Sequence, residues 1–163
     1  MKMTTTDLLR RSELFSGLTD GQVAKVADLG ETIDCQSDDV IVREGETGDE
    51  IYLVHQGMVE VLVSRGGIPD VPGPPRMEPL VELGPGQSFG EMALLDRGVR
   101  SATVRCVQDG TSLYVIPRNA LLALCEDDPS IGYVLMRNIA LDLSFKLRHR
   151  NLRVRLESGG GVP

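Results

Sequence analysis

The chain has 163 residues, of which 41% are hydrophobic, and its formal net charge is −7. This length suits one domain, and the apolar fraction supports a packed core and excludes a wholly disordered chain. The acidic balance argues against a surface that attracts nucleic acid. The three cysteines, Cys35, Cys106 and Cys125, are odd in number and widely spaced, which predicts free thiols in the cytoplasm rather than a disulfide framework or zinc site.

The N-terminal part of the chain predicts helices and no export or membrane segment. Its first residues, MKMTTTDLLRRSELF, contain no apolar run ahead of their charges, so no secretory signal is predicted. No apolar stretch of the chain approaches the roughly 18 residues of a membrane span. Thr19 and Gln22 form a capping box, and apolar residues follow at helical spacing. We therefore predict N-terminal helices over residues 12–30.

Residues 31–117 have the pattern of an antiparallel β region. Short β-rich runs are separated by glycines, and residues 102–106 alternate between apolar and polar side chains. Frequent turn signals favour a roll, sandwich or barrel, and the lack of a βαβ rhythm disfavours a parallel nucleotide-binding fold. The Pro- and Gly-rich residues 66–79 predict an extended hairpin loop, either a tolerated insertion or a partner-binding segment. The predicted strands lie within 39–44, 50–57, 58–64, 79–83, 101–107 and 112–116.

The C-terminal part predicts helices over residues 118–157 and a disordered tail at 158–163, because SGGGVP cannot continue a helix. Asp128 and Pro129 suit the N-cap and first position of a long helix. This helix carries two apolar stripes about 200° apart. We expect the first to pack on the β domain and the second to serve a second subunit. The first comprises Leu135, Ile139, Leu143, Leu147 and Val154, and the second comprises Leu141, Phe145, Leu152 and Leu156.

Residues 86–104, GQSFGEMALLDRGVRSATV, carry the densest chemical signal. The glycines permit close backbone approach, and the helix-competent run that begins at Glu91 has free N-terminal amides, which attract phosphate. Arg100 is predicted to open a strand, and its guanidinium can fork onto two phosphate oxygens, with the Ser101 hydroxyl beside it. The carboxylate of Glu91 would repel a simple anion but can accept a hydrogen bond from a hydroxyl. Phosphate and hydroxyl on one small ligand suggest a nucleotide.

Three segments resemble the cyclic nucleotide-binding domain family, which includes the catabolite activator and the regulatory subunit of protein kinase A. The F-G-E at 89–91 and R-S-A at 100–102 match the family's phosphate-binding cassette. Residues 44–61 resemble its strand–glycine–strand segment, and residues 13–29 resemble its N-terminal helices. The resemblance implies one domain over residues 1–157, mainly β, with an antiparallel, jelly-roll-like β-roll (a double-stranded β-helix), N-terminal helices and a long C-terminal helix.

The resemblance also implies the ligand and a role for each site residue. The ligand would be a cyclic nucleotide, cyclic AMP ahead of cyclic GMP, and the chain a regulatory sensor rather than an enzyme. The C-terminal helix would act as lid and coupling element. Arg100 would bind the cyclic phosphate and Glu91 the ribose 2′-hydroxyl. Gly90, Met92 and Ala93 would supply backbone contacts, and Val61 and Val81 would line the pocket.

The residue that caps the base is left open by the sequence. In the family such residues come from the C-terminal helix, where this chain offers Lys146, Arg148, His149 and Arg150. The same basic region predicts a solvated flank or a contact with an acidic partner. Direct DNA binding is not expected, because no helix-turn-helix follows the long helix.

Other functions remain as alternatives. Arg100 could be a structural ion-pair partner of Glu91 in a ligand-free β-roll that dimerises through its last helix. Residues 86–90 also spell G-x-S-x-G, the nucleophile elbow of serine hydrolases, but the β/α units of that fold are missing. A metal-dependent cupin would need clustered histidines, and this chain has only His55 and His149, far apart. No metal is therefore expected.

Overall fold

The computed structural model describes residues 2–65, 76–96 and 98–159, with side chains described as far as His149, apart from that of Arg65. Four helices and eight strands lie in this part of the chain, with 3₁₀ turns at Glu13–Phe15 and Glu91–Leu94. The helices are α1 (Thr5–Arg11), α2 (Asp20–Ala27), α3 (Arg118–Asp127) and α4 (Pro129–Gly159). The strands are β1 (Glu31–Cys35), β2 (Val40–Val42), β3 (Glu50–Gln56), β4 (Val59–Arg65), β5 (Arg76–Leu83), β6 (Ser88–Phe89), β7 (Thr103–Cys106) and β8 (Thr111–Pro117).

The strands form two four-stranded antiparallel sheets. One has the order β1-β8-β3-β6 and the other β2-β7-β4-β5. This arrangement confirms the predicted antiparallel β-roll with flanking helices. Each of the six predicted runs overlaps one strand, whereas β1 and β6 had not been predicted as strands. The central strands of the first sheet, β3 and β8, are far apart in the sequence, so the roll forms only when distant segments meet.

Strand β3 is buried on both faces and therefore separates two apolar clusters. Ile51 and Leu53 face the cluster that contains the helices, whereas Tyr52 and Val54 face the interior of the roll. Side chains on a strand alternate between the two sides of its sheet, so a continuous apolar run fills both cores at once. The helices thus cover the outer face of the first sheet, while its inner face closes the roll.

Helix α1 begins earlier than the sequence predicted. Predicted N-terminal helices started at residue 12, but α1 spans Thr5–Arg11 and is capped by Thr4, whose hydroxyl accepts a hydrogen bond from the Asp7 N–H. Two leucines of α1 are fully buried, which anchors the helix in the helical cluster. The predicted capping box of Thr19 and Gln22 is confirmed at the start of α2.

The predicted hairpin loop is shorter than expected at its C-terminal side. Residues 76–79 belong to β5, which pairs with β4, and residues 66–75 lie outside the described part of the chain. Pro79 is tolerated there because β5 is an edge strand, where a missing backbone N–H costs no ladder hydrogen bond. The pairing has an irregularity between Val61 and Leu62, next to Pro79.

The predicted start of the long helix at Pro129 is confirmed. Asp128 separates α3 from α4, and its carboxylate accepts hydrogen bonds from the Ser130 N–H at 3.2 Å and from Gln22 Nε2 at 3.2 Å. Helix α4 extends to Gly159, two residues past its predicted end, a difference usual for helix termini. The rest of the predicted tail, residues 160–163, is not among the described residues. Within the described chain, no helix is long and apolar enough to cross a bilayer.

The first predicted stripe of α4 is right for its first turns and wrong at Leu147. Leu135 and Ile139 are buried, but Leu147 is 61% exposed. A strict four-residue step advances 400°, or 40° beyond a full turn, so three steps carry Leu147 about 120° away from Leu135. Helix α4 contacts α3 and the Glu13–Phe15 turn, and the buried residues of the stripe belong to the apolar cluster that also contains Ile51 of β3 and Ile116 of β8.

The second predicted stripe of α4 is exposed at the two members whose side chains are described. Leu141 and Phe145 are both exposed, as expected for a face without a partner in a single chain. The side chains of the later members of both stripes, Leu152, Val154 and Leu156, fall outside the described side chains.

Candidate functional site

The site is built around a tight turn that follows β6. Gly90 has a φ of 81°, in the left-handed region that glycine adopts without strain, and caps the 3₁₀ turn Glu91–Leu94. The predicted helix-competent run is therefore a 3₁₀ turn, not an α-helix. Arg118, the first residue of α3, donates its Nε–H to the carbonyl of Ala93, and its backbone N–H to the carbonyl of Asp49 at 2.7 Å. The start of α3 thus holds the turn against the start of β3.

Arg100 lies on the segment just before β7 and not on the strand itself. Its backbone N–H donates to Glu46 O at 2.8 Å, and its carbonyl accepts from the Gly45 N–H at 2.9 Å. Strand β7 begins only at Thr103, so the prediction that Arg100 opens a strand is wrong. The backbone pairing with residues 45–46 replaces the strand as the element that positions the arginine.

The guanidinium of Arg100 is enclosed by backbone. Its side chain is only 9% exposed. Nη2 donates to the carbonyl of Glu50 at 2.9 Å and Nη1 to that of Gly90 at 3.5 Å. A Cβ added at Gly48 would lie 2.4 Å from Nε of Arg100, and one at Gly90 would lie 2.8 Å from Nη1. Both glycines are therefore needed for the arginine to lie where it does.

The carboxylate next to Arg100 belongs to Glu50. Its Oε2 lies 3.8 Å from Nη2 of Arg100, so the alternative in which Arg100 pairs with Glu91 is not the arrangement observed. Sequence reasoning missed both Gly48 and Glu50. The available signal was the G-D-E run at 48–50, where a glycine and two acids lead into the apolar residues of β3.

Glu91 is the least satisfied polar group of the site. Its side chain is 15% exposed, and its Oε1 lies 3.9 Å from Nζ of Lys146 on α4. Its Oε2 is buried and has no hydrogen-bond partner among the described residues. Burial raises the pKa of this carboxyl above its usual range, against the opposing effect of its own backbone N–H and of Lys146. The free Oε2 can accept a hydrogen bond from a ligand hydroxyl.

The remaining predicted site residues lie around this pair of charged groups. Val61 and Val81 face each other across β4 and β5; Val61 packs against the roll cluster and Val81 is exposed. Ala93 is buried in the turn, whereas Met92 and Ser101 are exposed. The structure thus brings Gly90 and Arg100 into direct contact, with Glu91 adjacent.

An aromatic pair not found from the sequence supports the strands beside the turn. The rings of Tyr52 and Phe89 stack with centroids 4.8 Å apart and planes 4° from parallel. Tyr52 and Phe89 are partners in the β3–β6 register, so their stacking fixes β6 immediately before Gly90. The signal in the sequence was the aromatic that precedes Gly90-Glu91, but its partner on β3 is distant along the chain.

The serine of the G-x-S-x-G motif is not at a nucleophile elbow. Ser88 lies on β6 and pairs with Leu53 in an antiparallel sheet, whereas an elbow turns sharply from strand to helix at the serine. His55 contacts the carbonyl of Met3 at 2.6 Å, and the ring of His149 packs on Phe145. Among the described residues, no group of three or more His, Cys, Asp or Glu side chains could hold a metal ion.

Comparison with known proteins gives a consistent match. A family model described as the cyclic nucleotide-binding domain matches residues 32–128. The cyclic AMP receptor protein of Thermus thermophilus is 37% identical over 118 residues, covering 72% of this chain and 49% of that protein. The cAMP-dependent protein kinase regulatory subunit of Schizosaccharomyces pombe is 32% identical over 104 residues, covering 64% and 23%. The chain therefore spans at most about half the length of either curated relative.

The fold comparison agrees. The crystal structure of the Thermus thermophilus catabolite activator protein matches with a TM-score of 0.76 and 33% sequence identity. The match covers 90% of this chain and 63% of that one. Nearly all of the chain thus shares one architecture with that protein.

Proposed function

Because this chain belongs to the cyclic nucleotide-binding domain family, we propose that it binds a cyclic nucleotide between the Gly90 turn and the β4–β5 wall. Arg100 holds the cyclic phosphate, and Glu91 accepts a hydrogen bond from the ribose 2′-hydroxyl. Gly90, Met92 and Ala93 contribute backbone contacts. Ser101 adds a hydroxyl donor beside the phosphate.

The observation that carries this proposal is the enclosure of Arg100. Its side chain is nearly buried, and two of its nitrogens are held by the carbonyls of Glu50 and Gly90. A guanidinium has five N–H donors in a rigid fork, so these hydrogen bonds orient it without using all its donors. A buried cation is costly unless an anion compensates it, and the Glu50 carboxylate, at 3.8 Å, does so only in part. A phosphate fits the remaining donors.

The proposed role is that of a regulatory sensor module without catalytic chemistry. Helix α4 closes over the ligand as a lid by swinging about Asp128, where the structure breaks α3 from α4. Its exposed face, with Leu141 and Phe145, offers a surface for self-association or for an effector. The regulated partner is a protein or domain outside this chain. A cytoplasmic location stays a prediction.

Cyclic AMP is proposed ahead of cyclic GMP as the ligand. The two curated relatives described above are named for cyclic AMP, and Val61 and Val81 offer an apolar wall that suits either purine. The preference for cyclic AMP therefore follows from the names of these relatives.

Isothermal titration calorimetry of the parent chain with cyclic AMP, cyclic GMP and linear 5′-AMP tests the proposal. We expect both cyclic nucleotides to bind with one site per chain, cyclic AMP more tightly, and 5′-AMP far more weakly because its phosphate is neither cyclic nor equally charged. Absence of heat with all three, confirmed by an unchanged melting temperature, would favour a ligand-free β-roll that acts through its exposed helix. Equal binding of 5′-AMP would contradict the assigned pocket.

A further inference from the structure

Lys146 lies on the side of α4 that faces the body of the domain. It follows Leu135 by eleven residues and Ile139 by seven, spacings that return to the same face of a helix. Leu135 and Ile139 are both buried. Lys146 therefore stands where the apolar stripe would continue, although its own side chain is 62% exposed.

The Lys146 ammonium forms one ion pair within its own helix and a second one with the site. Its Nζ lies 2.8 Å from Oδ2 of Asp142, one turn earlier, and 3.9 Å from Oε1 of Glu91. The 3.9 Å contact is the ion pair that joins α4 to the carboxylate proposed to hold the ribose. It connects the ligand pocket to a helix outside the roll.

The two oxygens of Glu91 have different surroundings. Oε1 faces Lys146, whereas Oε2 is buried with no hydrogen-bond partner among the residues described. A hydroxyl can therefore donate to Oε2 while Oε1 keeps the lysine. Both contacts favour the ionised carboxylate, and each holds the Glu91 side chain in the orientation that the other contact needs, so their effects reinforce each other.

We propose that Lys146 couples α4 to the 2′-hydroxyl of the bound nucleotide through Glu91. Binding of the sugar, rather than of the phosphate, would then stabilise the docked position of this helix. Among the described side chains, Arg100 contacts the roll and the Gly90 turn, whereas Glu91 lies within ion-pair range of α4. This inference rests on the proposed function, since it needs a ribose at Glu91. Lys146 is a positioning residue and need not touch the ligand.

Thermodynamic linkage sets the size of the expected effect. If the hydroxyl strengthens the ion pair between Glu91 and Lys146, then loss of Lys146 must lower the affinity for ligands that carry the hydroxyl more than the affinity for ligands that lack it. For a partly exposed ion pair the expected difference is about threefold to fivefold in affinity. The protection of α4 against amide hydrogen exchange should fall together with this affinity.

The test compares cyclic AMP with 2′-deoxy cyclic AMP in the parent, in Lys146→Met and in Arg137→Met. Lys146→Met keeps most of the side chain's length and removes its charge. Arg137→Met is the matched control, because Arg137 is an exposed cation on the same helix, about 180° around from Lys146. The two measurements are affinity by calorimetry and amide hydrogen exchange of peptides from α4 at saturating ligand.

We expect cyclic AMP to slow exchange in α4 of the parent and of Arg137→Met, and 2′-deoxy cyclic AMP to slow it much less. In Lys146→Met both nucleotides should have the small effect, and the affinity for cyclic AMP alone should fall. Equal protection by the two nucleotides in the parent, or parent-like behaviour of Lys146→Met, would overturn the coupling. Failure of the parent to bind either nucleotide is a different result, since it contradicts the proposed function itself.

Discussion

The two charged residues of the site, Arg100 and Glu91, are satisfied to very different degrees. Arg100 is clasped by two carbonyls and approached by the Glu50 carboxylate, and two glycines give it room. Glu91 is also largely buried, but one of its oxygens has no hydrogen bond from any described residue and the other has only a 3.9 Å contact with α4. The proposed phosphate end of the pocket is thus organised without a ligand, whereas the proposed sugar end would be completed by the ligand and the helix.

This difference assigns the two ends separate tasks. A preorganised donor loses little entropy on binding, so the phosphate end should supply most of the affinity. An unsatisfied buried carboxylate is stabilised by any hydroxyl that reaches it, so the sugar end should supply selectivity and the link to α4. Four substitutions test this division, from the largest expected effect to the smallest.

Arg100→Ala should abolish measurable binding of cyclic AMP. Loss of a buried charge partner costs about 3–5 kcal/mol, or roughly a hundredfold to several thousandfold in affinity. Arg100→Lys should recover only part of it, because lysine lacks the fork. Calorimetry measures the affinity, and thermal melting checks that the fold persists. Parent-like binding by the alanine variant would remove Arg100 from the phosphate site.

Gly48→Ala should weaken binding while leaving stability almost unchanged. The new methyl group would lie 2.4 Å from the guanidinium of Arg100, and the flexible arginine can move away at small cost to the fold. With its guanidinium displaced, the variant should bind cyclic AMP roughly tenfold to a hundredfold more weakly. This range corresponds to the overpacking costs of about 1–3 kcal/mol.

Gly84→Ala is the matched control for this change, because nothing lies within 4 Å of a Cβ at that position and its φ is not in the left-handed region. It should bind like the parent. If both alanine variants bind alike, the clearance beside Arg100 is not what sets the affinity.

Glu91→Gln should discriminate between sugars. The amide oxygen still accepts a hydrogen bond, but a neutral acceptor is about half as strong as a carboxylate, so cyclic AMP should bind about threefold to tenfold more weakly. The 2′-deoxy analogue, which has no hydroxyl to donate, should change less than twofold. Calorimetry with both ligands on both proteins forms a double-mutant cycle. Equal losses would take the ribose role away from Glu91.

Phe145→Asp should have the smallest effect on the pocket and a clear effect on self-association. Phe145 is 63% exposed on the face of α4 that turns away from the domain, so a charge there should disrupt any helix-to-helix contact and change nucleotide affinity less than twofold. Sedimentation velocity with and without cyclic AMP measures the first effect. Tyr133→Asp, about 120° around the same helix, is the control. A parent chain that is monomeric at high micromolar concentration in both conditions would refute the homodimer.

Local sequence features determined the broad fold and the candidate cassette. Alternating apolar residues and glycine-bounded runs indicated a roll, sandwich or barrel, and the family resemblance selected the β-roll. The Asp128-Pro129 pair fixed the start of α4, because caps depend on neighbours in sequence. Gly90, Glu91 and Arg100 were found in the same way, since they stand within one short segment that resembles the family motif.

Contacts between distant segments were decided only by the tertiary structure. Glu50 meets Arg100 because β3 and the segment before β7 are brought together by sheet pairing, and Lys146 reaches Glu91 because α4 is docked on the N-terminal turn by Asn138, whose Nδ2 donates to Leu14 O at 2.8 Å. Leu147 was misplaced for a different reason, because a strict four-residue step drifts around the helix, and this drift follows from helical geometry alone. Hydrophobic periodicity in the sequence indicates which residues share one face of a helix or strand. Tertiary packing determines which other element that face contacts.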